Sequence, residues 1–149
     1  MAHGQSIDMR LVQDPDLKEI LELLKDSGLP VEDLVPTSPA QFHVATKGDA
    51  TAGCVGIELI GRCALIRSLA VRKTNRGEGI GSRLLQSAED LCRQKGIRAV
   101  YLLTLTAEPF FARRGYRRIE RDSAPDEIAE TTEFASVCPV SSAFMMKRL

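Results

Sequence analysis

The stretch CALIRSLAVRKTNRGEGIGSRLLQSAEDLCRQKGIRAVYLLTL, residues 63–105, limits the fold more than any other part of the chain. It opens on an apolar, strand-like run, CALIRSLAV. It closes on AVYLLTL, apolar at nearly every position, as expected of a strand buried on both faces. Between them Ile80, Leu84, Leu85, Ala88, Leu91 and Cys92 recur at helical spacing, and Gly96 ends the pattern. A helix separating two strands makes a crossover, so these two strands are expected to lie parallel as a βαβ unit.

The flanking segments extend that unit into a mixed sheet. DPDLKEILELLKDSG reads as a first helix with Asp14 as cap, Pro15 in its first turn, Gly28 as stop, and Leu17, Ile20, Leu21 and Leu24 on one face. LPVEDLVP reads as a short helical turn. FHVAT and TAGCVGIELIG read as two strands about a tight turn, with a second turn at Gly61-Arg62 leading into CALIRSLAV, which favours an antiparallel meander. Downstream, AEPFFARRG reads as a short helix, YRRIE as a strand, APDEIAETTEFA as a helix and SSAFMMKRL as a closing strand. The fold class is therefore α/β. An antiparallel N-terminal meander precedes a parallel central strand pair, and helices flank the sheet. At 149 residues a single domain, 1–149, is expected, able to bury roughly 68–70% of its unfolded surface.

Three glycines, Gly77, Gly79 and Gly81, alternate between the first strand of the crossover and its helix. The first N–H groups of a helix lack internal partners, and the helix dipole favours anions there. Glycines let the backbone approach a phosphate closely, and Arg76 adds a charge-assisted donor. The loop lacks the Gly-Lys-Ser/Thr of a P-loop, and Ser82 stands where a dinucleotide fingerprint needs its third glycine. Arg76-Gly77-Glu78-Gly79-Ile80-Gly81 instead fits an Arg/Gln-x-x-Gly-x-Gly/Ala pattern.

With SLAV before the loop, RGEGIG in it, the helix SRLLQSAEDLCRQKG, the strand AVYLLTL and then FFARRGY, the chain resembles the GNAT superfamily of acyl-CoA-dependent N-acetyltransferases from about Phe42 onward. The resemblance implies acetyl-CoA as donor substrate. Leu69, Ala70 and Val71 would lie along its pantetheine arm, and the amides of Gly77, Glu78, Gly79, Ile80, Gly81 and Ser82 would hold its diphosphate beside Arg76. IRSLAV with LLTLTAEPFFARRGY is similar to the acetyltransferase domain of acetylglutamate synthases. The tail APDEIAETTEFASVCPVSSAFMMKRL is similar to small N-acetyltransferases encoded with bacterial arsenic-resistance genes. These likenesses imply a small amine as acceptor, an amino acid or its arsenic- or phosphorus-bearing analogue, and dimers are common among such proteins.

Arg67 carries a charge inside an apolar strand, on the face that strict alternation shares with Leu65, Leu69 and Val71. It either pairs with a protein carboxylate or meets an anionic ligand, such as the acceptor's carboxylate. Glu58 is the first candidate for general base, with a solvated strand residue as the alternative; Glu108, Glu120 and Glu133 follow. Thr104 and Thr106, ending the central strand, are candidate lining residues or ordinary strand packing. Many proteins of the resembled family place a tyrosine general acid at the position of Phe111, which cannot donate a proton. Tyr116, Thr104, Thr106 or water would have to replace it. A non-catalytic acyl-CoA-binding module and a protein acetyltransferase are the rival readings.

Composition narrows the partners. Twenty Lys and Arg balance twenty Asp and Glu, so the basic excess usual in nucleic-acid binders is missing. No apolar run approaches the ~20 residues needed to span a bilayer, and no signal peptide is apparent, giving a cytoplasmic expectation. The four cysteines form no Cys-x-x-Cys, so neither a metal site nor a disulfide framework is expected; Cys138, beside Pro139, is the thiol of interest.

Overall fold

The computed structural model describes residues 7–11, 17–29, 31, 40–131, 134–135 and 142–149. The cap expected at Asp14 and Pro15, the turn expected in LPVEDLVP beyond Val31, and Glu133 and Cys138 lie outside the described residues.

Among the described residues, seven strands form one sheet in the order β1-β2-β3-β4-β5-β7-β6. They are β1 (Ile7–Leu11), β2 (Gln41–Lys47), β3 (Ala50–Ile60), β4 (Cys63–Val71), β5 (Ala99–Thr104), β6 (Arg117–Arg118) and β7 (Ala143–Arg148). β1 through β4 are successively antiparallel, and β4 and β5 are parallel, as expected. β7 inserts antiparallel beside β5, and β6 pairs outside it. Among the described residues no helix is long and apolar enough to cross a membrane.

Helix α2 (Ile80–Gln94) covers one face. Its Ile80, Leu84, Leu85, Ala88 and Cys92 pack on Ala52, Val55, Ile57, Ala64, Ile66, Val100 and Met145. Each of the Leu, Ile, Val and Met side chains among them contributes roughly 1.5–3 kcal/mol by leaving water. Helix α3 (Glu108–Ala112) sits on this face too, through Phe111. The opposite face carries α1 (Leu17–Asp26) over Phe42, Val44, Cys54 and Ala70. Beside it, α4 (Asp126–Ala129) places Ile128 against Leu65, Tyr101, Phe144 and Met146. α1 ends at Gly28 as expected, in the left-handed region with φ +71°. Its fully covered residues are Ile20, Leu23 and Leu24; Leu17 and Leu21 are only half-buried.

Several expectations require correction. β1 was not anticipated, although Ile7, Met9 and Leu11 alternate with Asp8 and Arg10. YRRIE contributes only two strand residues, and APDEIAETTEFA only the four-residue α4. The largest correction concerns β4. The ladder to β3 matches Arg67 with Gly56 but Ala70 with Cys54, so β4 carries an extra residue, a β-bulge. Ser68 adopts φ +57° there, unusual for a non-glycine residue. The insertion reverses the alternation. Arg67 shares its face with Leu65 and Ala70, while Leu69 and Val71 turn toward α2.

Candidate active site

The parallel ladder between β4 and β5 ends at the pair Ile66–Leu102. Beyond it the strands separate around a cleft of about 980 Å³, lined by residues 66–71 on one side and 102–107 on the other. Arg72 N–H donates to Ala52 carbonyl on β3 at 2.7 Å. By alternation Ala70 also directs its backbone groups to β3, and those of Leu69 and Val71 face the gap. An amide-bearing arm can pair with such an edge as an added strand.

The cleft leads to the start of α2. Gly77 and Gly79 have φ +86° and +78°, so both bends require the left-handed backbone that glycine adopts without strain. Gly81 has no such φ; a Cβ there would meet Phe110 of α3 at 3.4 Å, an ordinary contact. No side chain caps α2, and its first turn holds no acidic residue. An anion is therefore the natural partner for these amides. Together with the β4 edge, this arrangement has the chemistry to take a diphosphate carried on an amide-bearing arm.

The expected loop residues contribute unequally. Asn75, Arg76, Gly77, Gly79, Ile80, Gly81 and Ser82 line the cleft. Arg76 is exposed and donates from Nε to the Val71 carbonyl at 3.2 Å. Ile80 is buried in the core, so only its backbone can serve a ligand. Glu78 is not among the lining residues; its carboxylate lies 3.1 Å from Lys47 Nζ. Arg114 was not singled out from the sequence. It stacks over Phe110 at 3.7 Å, donates to Ser82 Oγ and to the Phe110 carbonyl, and brings a third basic group to the cleft wall with Arg67 and Arg76. Leu105, 58% exposed, is a large apolar side chain left open at the rim.

On the face opposite α2, Arg67 and Glu58 are both buried, with Nη1 3.4 Å from Oε2, and Arg67 Nε donates to Ser68 Oγ at 3.0 Å. Arg67 lines the cleft and Glu58 is not among its lining residues. The carboxylate-pairing alternative for Arg67 is thus the one present, in a residue that also reaches the cavity. Thr104 and Thr106 line the same cavity, and Thr104 Oγ1 accepts the Ala107 N–H at 3.0 Å. Of the other candidate bases, Glu108 pairs with Arg118 at 3.5 Å and Glu120 is exposed.

Phe111 lines the cleft with its ring edge-on to Phe110 and Tyr116. Tyr116 does not substitute for it. Its hydroxyl is buried away from the cleft and donates to Glu89 Oε2 at 2.8 Å, while Lys147 holds Oε1 at 3.0 Å. Burial, reinforced by the Glu89 carboxylate, pushes the Tyr116 phenol far above its usual range, which unsuits it to proton donation. Burial likewise raises the Cys54 thiol to about 12 and the Cys92 thiol to about 11, and both are free.

Known proteins share this architecture. A family model described as an acetyltransferase (GNAT) domain matches residues 38–118, more than half of the chain. An uncharacterized N-acetyltransferase of Chlorobaculum tepidum is 39% identical over 88 residues, 58% of this chain and 56% of the relative. An uncharacterized Bacillus subtilis protein, YwlB, is 34% identical over 102 residues, 65% of this chain and 66% of its own length. The chain thus spans less than two thirds of either relative. N-acetylglutamate synthase from Neisseria gonorrhoeae, solved with coenzyme A and N-acetyl-glutamate, superposes with TM-score 0.80 at 22% identity, over 99% of this chain and 36% of that one. A Mycobacterium tuberculosis protein solved with CoA gives TM-score 0.79 at 23% identity, over 95% and 99% of the respective chains. Because the family model spans more than half of the sequence, the chain belongs to the GNAT acetyltransferase family.

Proposed function

We propose that the chain transfers the acetyl group of acetyl-CoA to the amine of a small amino-acid-like acceptor. The observation that carries this reading is the continuous path from the open β4 edge to the uncapped N-terminus of α2. Acetyl-CoA supplies the activated acyl group. The Leu69 and Val71 backbone orients its arm, and the amides from Gly77 to Ser82, with Arg76 and Arg114, hold its diphosphate. A backbone N–H near Leu69 would polarise the carbonyl under attack.

The acceptor approaches from the face bearing Arg67, whose guanidinium would meet its carboxylate while Glu58 fixes the arginine. This division of labour favours Glu58 as a positioning group over the base role expected from sequence, because Glu58 holds Arg67 and is not among the residues lining the cleft. An α-amine of pKa about 7.7–8.0 is partly neutral near pH 7 and needs little assistance. With phenylalanine at 111, the departing thiolate takes its proton from the amine or from water reaching Thr104 and Thr106. The likeness of the tail to arsenic-resistance N-acetyltransferases adds arsenic- and phosphorus-bearing amino acids to the acceptors. A cytoplasmic location and a homodimer belong to the same reading.

Phe111 also favours a second reading, a non-catalytic acyl-CoA-binding module. Thiol release from acetyl-CoA across a panel of amino acids, their arsenic and phosphorus analogues, and peptides separates the two. Turnover with a free amino acid supports transfer. Calorimetric binding of acetyl-CoA with no turnover across the panel supports the module, and no binding at all refutes both.

A further inference from the structure

Among the described residues, two buried side-chain polar atoms have no hydrogen-bond partner: Ser142 Oγ and Arg121 Nη1. β6 runs antiparallel to β7 with Arg117 opposite Met146 and Arg118 opposite Met145, and Ile119 N–H continues the ladder to the Phe144 carbonyl at 2.8 Å. Arg121 opens the short 3-10 turn that follows this ladder, and Ser142 immediately precedes β7. Both residues line a second cavity of about 530 Å³, and Ser142, only 4% exposed, also lines the main cleft. Ser142 is therefore the wall common to the two spaces.

The guanidinium is fixed in place. Arg121 Nη2 donates to the Phe134 carbonyl at 3.2 Å, and the group lies over the Phe134 ring at 4.6 Å. That ring packs edge-on against Phe144. Nη1 is left unbonded and sheltered from water, a costly condition for an N–H of a cationic group. Glu120 and Asp122 line the same cavity but are solvent-exposed, and neither bonds Arg121. A cationic N–H and a hydroxyl facing one space are satisfied together by an oxyanion, which accepts from both.

We propose that Ser142 Oγ and Arg121 Nη1 form a subsite for an anionic tail, a carboxylate or a phosphonate, on an acceptor whose amine lies in the main cleft. This rests on the acceptor reading above and narrows it to amines bearing a distal oxyanion. The diphosphate of the donor is not the intended occupant, since α2 lies on the other face.

The test compares glutamate, its uncharged-tail counterpart glutamine, and a phosphonate-tailed amino acid, using wild type, Ser142→Ala and Arg121→Gln. Each variant should raise KM for the anionic-tailed acceptors at least tenfold, leaving KM for glutamine and for acetyl-CoA unchanged. The better of the two anionic acceptors identifies the tail. Equal effects on glutamate and glutamine, or a wild-type preference for glutamine, would overturn the subsite while leaving acetyl transfer standing. If no amine is acetylated, melting curves with the same three amino acids still decide. An elevation by an anionic-tailed ligand that both variants abolish supports the subsite, and no elevation in wild type refutes it. Ser142→Ala removes an unpaired hydroxyl, so its ligand-free melting temperature should equal or exceed that of wild type, excluding misfolding as the cause.

Discussion

Removing the Glu58 carboxylate tests the pairing around which the acceptor face is organised. The Arg67 side chain is 0% exposed and that of Glu58 is 6%, with 3.4 Å between Nη1 and Oε2. At an effective dielectric constant near 20 that separation corresponds to about 5 kcal/mol of gross attraction, largely offset in the intact pair by the cost of burying both charges. Truncating one partner keeps the burial cost of the other. Glu58→Gln is expected to lose about 3–5 kcal/mol, and Arg67→Met a similar amount. At roughly 2–4 °C per kcal/mol for a chain of this size, either variant melts well below wild type. The double variant removes both charges and should lose much less than the two singles added together. Urea unfolding with unchanged m-values measures all four corners of this cycle. Single losses below about 1 kcal/mol, or additivity within about 0.5 kcal/mol, would refute the account of a buried pair. In kinetic assays Glu58→Gln should raise the acceptor KM more than that for acetyl-CoA, because a guanidinium released from its carboxylate no longer holds one position.

Two glycines should separate conformational strain from crowding. Gly79→Ala places a Cβ in open space but at φ +78°, so it should cost about 1–2 kcal/mol of stability and weaken acetyl-CoA binding by calorimetry. Gly53→Ala has no such dihedral problem, yet its Cβ would stand 2.8 Å from the Ala70 carbonyl oxygen, a backbone atom. About 1–3 kcal/mol should be lost in urea unfolding, and β4 should be displaced where it borders the cleft. The buried thiols predict an alkaline limit. Folding raises Cys54 and Cys92 from an ordinary 9.0 to about 12 and about 11, so protons leave the unfolded chain first. Their contribution is complete below pH 9 and is lost as pH rises through 11–12, at up to about 1.4 kcal/mol per pH unit for each thiol. Urea unfolding between pH 9 and 10, below the ordinary tyrosine range, should show a slope that Cys54→Ala/Cys92→Ala flattens; an unchanged slope would contradict this.

The crossover was legible because its signals agree: helical spacing in α2, an all-apolar β5, and glycines whose left-handed backbone is needed at Gly77 and Gly79. The glycine bends that open α2 at the end of the cleft followed from the same residues. The bulge did not, because the left-handed position is filled by Ser68, which advertises no such conformation, and alternation extrapolated past it misplaces Arg67 relative to Leu69. β1 carries an alternating pattern of only five residues, too short to mark a strand by itself. YRRIE shows how few ladder contacts such a pattern can yield. Ser142 and Arg114 reach the cleft wall only through the fold, Arg114 beside Ser82 of α2, so nothing in their local sequence marks them.

One supernumerary residue at position 68 gives β4 two independent addresses. Upstream of it, odd-numbered side chains look toward the face opposite α2; downstream, odd-numbered side chains look toward α2. On the proposed function, substitutions near Arg67 that retune the acceptor therefore need not disturb the segment proposed to hold the thioester arm. A lineage built on this strand can exchange one substrate while keeping the other.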